Sequence, residues 1–272
     1  NYCCAVPQTF SGKYRLRKIE YIIKDLKALR SITKYVSFID ANIYNNGKFL
    51  KKLCMRMINE GIKFIWGAQS TVDIADDPEA LKLLHDSGCR ILFLGLESVE
   101  QRNLCFLNKQ YYTGDYLRQV LKIKKAGIHV AGYFMLGLDF DTRESSDAIY
   151  RFVHDAKINL PVINVLMPVP GTKLFNTLKN EGRMLMEDIN DFLKKNPLYS
   201  VPCQIPFFVP KQMSTVELTN SYLELVIRLY SYRAILKRSL VFNPLEAAKL
   251  LIMNLELRKK YLLMNKQTYI SK

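Results

Sequence analysis

The chain has 272 residues, 49% of them hydrophobic and 24% charged, enough for one large α/β domain or for one domain with a helical appendage. No stretch approaches the roughly 18 to 20 unbroken apolar residues of a membrane span. Six scattered cysteines form no disulfide framework, so a reducing, cytoplasmic setting is expected. The net charge of +15 invites an anionic partner such as nucleic acid, a membrane surface or a phosphorylated substrate; a merely solvated basic surface would give the same count.

Apolar periodicity predicts a helix over 16–30, a strand over 34–40, a helix over 46–60 ended by Gly61, and a strand over 62–69. A helix over 77–87 follows, with Pro78 in its first turn and Gly88 as its stop. The run RILFLGL at 90–96 reads as a strand buried on both faces. Next come a helix over 113–126, a strand over 128–137, a helix over 143–157, a strand over 161–167 and a helix over 173–181. The strand starts are spaced by roughly 28 to 38 residues, about one βα unit each. Such alternation predicts parallel strands with right-handed crossovers, in a doubly wound sheet or a full or partial (β/α) barrel. Residues 182–213 read as irregular. Beyond them, helices are expected over 215–239 and 244–264, both amphipathic and rich in Lys and Arg.

In parallel α/β folds, chemistry sits at the C-terminal ends of the strands. Those ends carry Asp40 and Asn42, then Gln69, then Glu97 and Ser98, then Gly137, Asp139 and Asp141, then Pro168, Pro170, Gly171 and Thr172. Any one of them would serve as a helix cap, as Asp141 and Thr142 do at the start of a helix. Five polar or backbone-permissive ends in succession are unusual for a purely structural barrel.

Several ordered segments then carry a resemblance. NYCCAVPQTFSGKYRLRKIEYIIKDL resembles the end of the cluster loop of radical S-adenosylmethionine (SAM) enzymes, with Tyr2 before the third cysteine, Cys3, and Arg15 and Arg17 as an R-x-R pair. VSFIDANIYNN, FIWGAQSTVD, RILFLGLESVEQ, GIHVAGYFMLGLDFDT and VLMPVPGTKLFNTLKNEGRM are similar, in order, to the stretches at the next five strands of that family. The likeness runs from residue 2 to about 185 and is greatest to the subgroup that carries a cobalamin-binding domain before the barrel.

The resemblance implies a partial TIM-like barrel over 1–185, an irregular connector over 186–213 and a helical C-terminal domain over 214–272. It also implies a chain cut inside its cluster loop, with the first strand and two cluster cysteines upstream of Asn1. Three thiolates would hold a 4Fe–4S cluster and leave one iron open to SAM; Cys3 would be the metal ligand present. Reductive cleavage of SAM would follow, and the residues would serve to position the cofactors. Asp40 and Asn42 would lie at the methionine end of SAM, and Glu97 and Ser98 at its ribose or amino groups. Gly137, Asp139 and the strand end at Pro168 would line the adenine pocket, with Gln69 and Lys109 facing the same site. Ala41 stands where relatives carry a second acid.

The implied activity is cobalamin-dependent methyl transfer to an unactivated carbon of a small-molecule or lipid-like substrate. A flavodoxin or ferredoxin would supply electrons. The alternatives are methylthio transfer to tRNA, or a radical rearrangement, cyclisation or oxidation. A helical tail argues against the tRNA reading, which would bring a β-rich RNA-binding module. With one cluster cysteine, the chain by itself is expected to be inactive.

Cys4 is expected to be incidental, and Cys54, Cys89 and Cys105 small core residues. His85, His129 and His154 match no metal-ligand spacing. Trp66 is expected in the core. On helix 215–239, Leu218, Tyr222, Leu225, Leu229 and Tyr232 form one stripe, with Arg228, Arg233, Lys237 and Arg238 crowding its C-terminal half. Such a stripe either packs on the barrel or lies on an anionic membrane.

Overall fold

The structure, a computed structural model, describes residues 15–109, 116–186, 206–240 and 243–270, with side chains to Tyr261 in the last helix. Cys3, Cys4 and Cys203 lie outside the described residues. Five strands form one sheet: β1 (Tyr35–Phe38), β2 (Ile65–Ser70), β3 (Cys89–Glu97), β4 (His129–Leu136) and β5 (Leu160–Val165). All pairs are parallel and the order is β1-β2-β3-β4-β5. A doubly wound sheet reverses its order once; this one advances in a single direction, as a barrel wall does.

Burial agrees with a barrel. Leu92, Leu94, Leu96, Val130, Phe134 and Ile163 are all sealed at 0% exposure. They lie under helices α1 (Ile19–Leu29), α2 (Gly47–Asn59), α3 (Pro78–Asp86), α4 (Gln101–Phe106), α5 (Tyr116–Lys125) and α6 (Ser145–Asp155), within one continuous core. Each fully buried aliphatic side chain there contributes about 1.5–3 kcal/mol of transfer free energy. The alternate residues Ile91, Phe93, Gly95, Glu97, Tyr133, Met135, Val162 and Asn164 are only partly covered and form the inner face. Trp66 is buried as expected, its indole N–H donating to the Ser87 carbonyl at 3.0 Å.

The two long C-terminal helices differ from expectation. The stretch 215–239 is two helices, α8 (Thr215–Leu229) and α9 (Tyr232–Ser239), with α7 (Lys173–Asn180) before them. The break comes where Ser231 caps α9, its hydroxyl accepting from Ala234 N–H at 3.3 Å. Leu218, Tyr222, Leu225 and Leu229 are buried in the main core, so the stripe packs on the barrel and cannot lie on a membrane. Tyr232 belongs to the next helix and is 64% exposed. Helix α10 (Pro244–Ile270) is not amphipathic: Leu250 and Tyr261 are buried on one side, while Leu245 and Ile252 stand exposed on the other. Cys105 is exposed on α4 rather than a core residue. The connector is not wholly irregular either, since Leu185 N–H donates to Phe207 O and Val209 N–H to Arg183 O.

Both sheet edges matter for the site. At β5 the Tyr261 hydroxyl accepts from Ile163 N–H at 3.1 Å and donates to Ile163 O at 3.3 Å, and the Tyr230 hydroxyl donates to Pro161 O. These tyrosines satisfy backbone groups that an exposed edge would leave open. At β1, a cavity of about 340 Å³ separates the strand from α1 and α2, lined by Val36, Phe38, Ile39, Asp40, Arg15 and Arg17 among others. Ile39 beside it is 91% exposed.

Candidate active site

Parallel strands in sequential order bring all five C-terminal ends to one rim, so Asp40, Asn42, Gln69, Glu97, Asp139 and Pro168 share an edge of the sheet. Their local surroundings divide them into two groups.

The first group faces the inner surface. β3 is irregular between Gly95 and Glu97, and Glu97 takes φ +67°, a left-handed conformation that costs a non-glycine residue about 1–2 kcal/mol. That turn folds the carboxylate back over Gly95, where a Cβ would lie 2.6 Å from Glu97 Oε1. Lys109 Nζ donates to Glu97 Oε1 at 3.0 Å and to Gly95 O at 2.8 Å. The ion pair is about three-quarters covered, with side chains 25% and 21% exposed. Gln69 is exposed on β2 in register with Phe93, and Phe93 meets the Tyr133 ring at 6.5 Å. On β5, Asn164 Oδ1 is buried with no hydrogen-bond partner among the described residues. Burial pushes the Tyr133 phenol up, so it stays protonated and able to donate.

The second group builds the rim. Asn42 Oδ1 accepts from Tyr44 N–H at 3.0 Å and from Thr71 N–H at 3.3 Å, while its amide donates to Thr71 Oγ1 at 3.0 Å. It thus ties the end of β1 to the end of β2. Asp40 is exposed beside the β1 cavity. Ser98 is 2% exposed, and its hydroxyl accepts from Glu100 N–H and from the Asn103 amide. Asn103 also donates to Asp141 Oδ1 at 2.7 Å and accepts from Phe140 N–H at 3.1 Å. Asp141 Oδ2 accepts from Gly137 and Leu138 N–H, each at 2.9 Å. Burial pushes the Asp141 carboxyl up to about 6, against the pull of these donors. Sequence reasoning missed Asn103, since it ends a polar stretch, Ser98 to Asn103, in which nothing sets it apart from its neighbours.

Gly137 has φ +99°, and a Cβ there would meet Leu218 at 2.9 Å and Phe208 at 3.2 Å. Its α-carbon therefore admits the C-terminal helices close to the rim. Asp139 is the hub of an ion-pair network, 3.0 Å from Arg183 and 2.8 Å from Lys211. Its carboxylate joins the rim to the connector. Pro168 is buried at the end of β5. The structure therefore brings Gln69, Glu97 and Lys109 to the inner face, and it occupies Asn42, Ser98 and Asp139 with protein partners. Cys3 lies outside the described residues, among which no group of three or more His, Cys, Asp or Glu could hold a metal ion.

A sequential parallel sheet with helices on one face and polar groups on its C-terminal rim defines a partial TIM-like barrel of the kind used by cofactor-dependent enzymes. The family model of the radical SAM superfamily matches residues 1–153. The chain belongs to that superfamily. It is 28% identical over 240 residues to the bacteriochlorophyllide d C-12(1)-methyltransferase of Chlorobaculum tepidum, covering 86% of this chain and 50% of that protein. The chain thus spans about half the length of this curated relative.

Two solved structures share the fold. The cobalamin-dependent SAM radical enzyme OxsB with aqua-cobalamin bound gives a TM-score of 0.60 at 14% identity, over 94% of this chain and 44% of that one. The radical SAM methyltransferase TsrM of Kitasatospora setae, with cobalamin and a [4Fe-4S] cluster bound, gives 0.56 at 15% identity, over 61% and 34%.

Proposed function

We propose that this chain is the barrel portion of a radical SAM methyltransferase that holds SAM over the inner face near Glu97 and Lys109. The observation that carries this reading is the juxtaposition of a carboxylate, an ammonium, an exposed amide and an unpaired buried carbonyl oxygen on one partly covered face. SAM presents an ammonium, a carboxylate, ribose hydroxyls and an adenine, and this donor and acceptor set suits them. Glycines at Gly67 and Gly95 keep the face shallow: a Cβ would come within 2.6 Å of Ile91 Cγ2 at the first and of Glu97 Oε1 at the second. The residues present therefore fit SAM.

In the proposed arrangement Glu97 accepts from the ligand's amino or hydroxyl groups. Lys109 holds that carboxylate in place. Asn164 Oδ1 gains the donor it lacks. Asn42 and the buried Ser98–Asn103–Asp141 network keep the rim rigid without touching the ligand. When bound, a 4Fe–4S cluster supplies the electron for cleaving SAM, and cobalamin a methyl carrier. Cys3 is the proposed cluster ligand of this chain. Among the described residues no strand pairs with the outer edge of β1, and that edge with its adjoining cavity would accept one further parallel strand. The substrate is proposed to be small and largely apolar, and the electron donor a flavodoxin or ferredoxin. The helices over 215–270 favour methyl transfer over methylthio transfer to tRNA.

The test is SAM binding by equilibrium dialysis to the intact polypeptide, with and without Glu97→Gln and Lys109→Ala, followed by assay for 5′-deoxyadenosine or S-adenosylhomocysteine. Each substitution should weaken SAM binding about tenfold or more, the loss expected for a charge-assisted hydrogen bond. Undiminished binding in both variants would remove Glu97 and Lys109 from the site.

A further inference from the structure

Helix α10 poses a problem that the barrel does not solve. Its inward side is held by Leu250, Asn254, Leu257 and Tyr261, spaced by three or four residues. Asn254 ties it down, accepting from Arg238 at 2.7 Å and donating to Asn159 O at 3.1 Å. The opposite side repeats the apolar pattern with Leu245, Ala248, Ile252 and Leu255. Leu245 is 65% exposed and Ile252 60%. A helix apolar on both sides is ordinarily buried on both, and leaving such a stripe in water forfeits about 1.5–3 kcal/mol for each large side chain.

The charge around the stripe restricts what can cover it. From Tyr232 to Tyr261 the chain carries seven Lys and Arg against two Glu. Glu246 faces inward to His129 at 3.3 Å and Arg90 at 3.8 Å, as do Arg238 to Asn254 and Arg258 to Tyr230 O, which leaves Arg233, Lys237, Lys259 and Lys260 against the exposed Glu256. Lys259 continues the outward side of α10 one turn beyond Leu255. On the adjoining helix α9 and the residue that ends it, Leu236 and Leu240 are exposed beside Arg233 and Lys237. Two copies of this chain meeting through the face would set like charges together, which costs several kcal/mol. A polyanionic, apolar-cored surface satisfies both features, since an interfacial helix buries its apolar stripe at the acyl boundary and its cations meet anionic headgroups. No helix among the described residues is long and apolar enough to cross a membrane, so the contact would be peripheral.

We propose that the outward face of α10, with the basic flank of α9, docks on an anionic lipid bilayer. The proposal does not depend on the cofactor reading of the rim, because Leu245 and Ile252 lie on a different element from Glu97 and Lys109.

The experiment is co-sedimentation of the intact protein with phosphatidylcholine vesicles and with vesicles carrying roughly a quarter phosphatidylserine. Partitioning should be about tenfold or more stronger to the anionic vesicles and should fall as salt rises. The double variant Leu245→Glu/Ile252→Glu should lose about tenfold or more of that binding. Both positions are exposed, so its circular dichroism and melting should match the parent. Lys259→Glu/Lys260→Glu should abolish the preference for anionic lipid. Equal weak partitioning to both vesicle types, or full binding by the Leu245/Ile252 variant, would overturn the proposal. So would a dimer, seen by sedimentation equilibrium, that the variant dissolves while vesicle binding is absent.

Discussion

Substitution of Glu97 tests whether the rim stores strain for the sake of a ligand contact. The residue holds φ +67°, a conformation worth about 1–2 kcal/mol of strain to any side chain bearing a Cβ and almost none to glycine. Its ion pair with Lys109, with both side chains about a quarter exposed or less, contributes about 0.5–1 kcal/mol. Glu97→Ala keeps the strain and loses the pair, so it should destabilise the fold by about 0.5–1 kcal/mol. Glu97→Gly also loses the pair but relieves the strain, less about 0.5–1 kcal/mol of added chain entropy in the unfolded state. The glycine variant should therefore be the more stable of the two by about 0.5–1 kcal/mol. Urea midpoints with matched slopes measure this directly. Both variants should bind SAM poorly, so they should differ in stability but not in binding. An alanine variant as stable as the glycine variant would show that the bulge at Gly95–Glu97 carries no strain, and the reasoning would fail.

Asp141 predicts a pH dependence. Its carboxyl is raised from 3.8 to about 6 by burial, so the stability linked to its protonated form is fully present below about pH 4 and lost as pH rises through about 6, some ~3 kcal/mol in all. Carboxylates held low by cationic partners, such as Asp76 with Lys122 and Asp147 with Arg228, act in the opposite sense. The informative quantity is thus the difference between the parent and Asp141→Asn across pH 4–7 by urea unfolding. A constant difference would remove the assignment. Thiol labelling makes the third case. Burial pushes the Cys54 thiol up to about 11 and raises Cys89 further, whereas Cys105 is exposed. Under native conditions at neutral pH a maleimide should modify Cys105 while leaving Cys54 and Cys89 intact. Mapping of the labelled peptides decides it, and early modification of Cys54 would contradict the packing of α2.

Much of the barrel was legible in the residues because local signals and global packing agree. Gly61, Gly88 and Gly127 stop helices at positive φ where the next strand must begin, and Pro78 with Asp77 starts α3. The inner and outer faces of β3 were harder to read. RILFLGL is apolar throughout, so alternation cannot say which side a helix covers; only the packed helices show that Leu92, Leu94 and Leu96 are outer and Phe93 inner. The break between α8 and α9 escaped notice because Tyr230 and Ser231 interrupt an apolar stripe by only one hydrogen-bonded turn.

The succession and punctuation of the strands, together with the acids and amides that follow them, are properties of the linear chain, whereas the order in which the strands pair came only from the folded sheet. Which of those polar groups is free to meet a ligand is not such a property. Asp139 looks like Glu97 in one dimension, yet Arg183 and Lys211 claim it from distant segments. Long-range pairing alone allots the partners, and a polar side chain already satisfied by protein has little left to offer a cofactor.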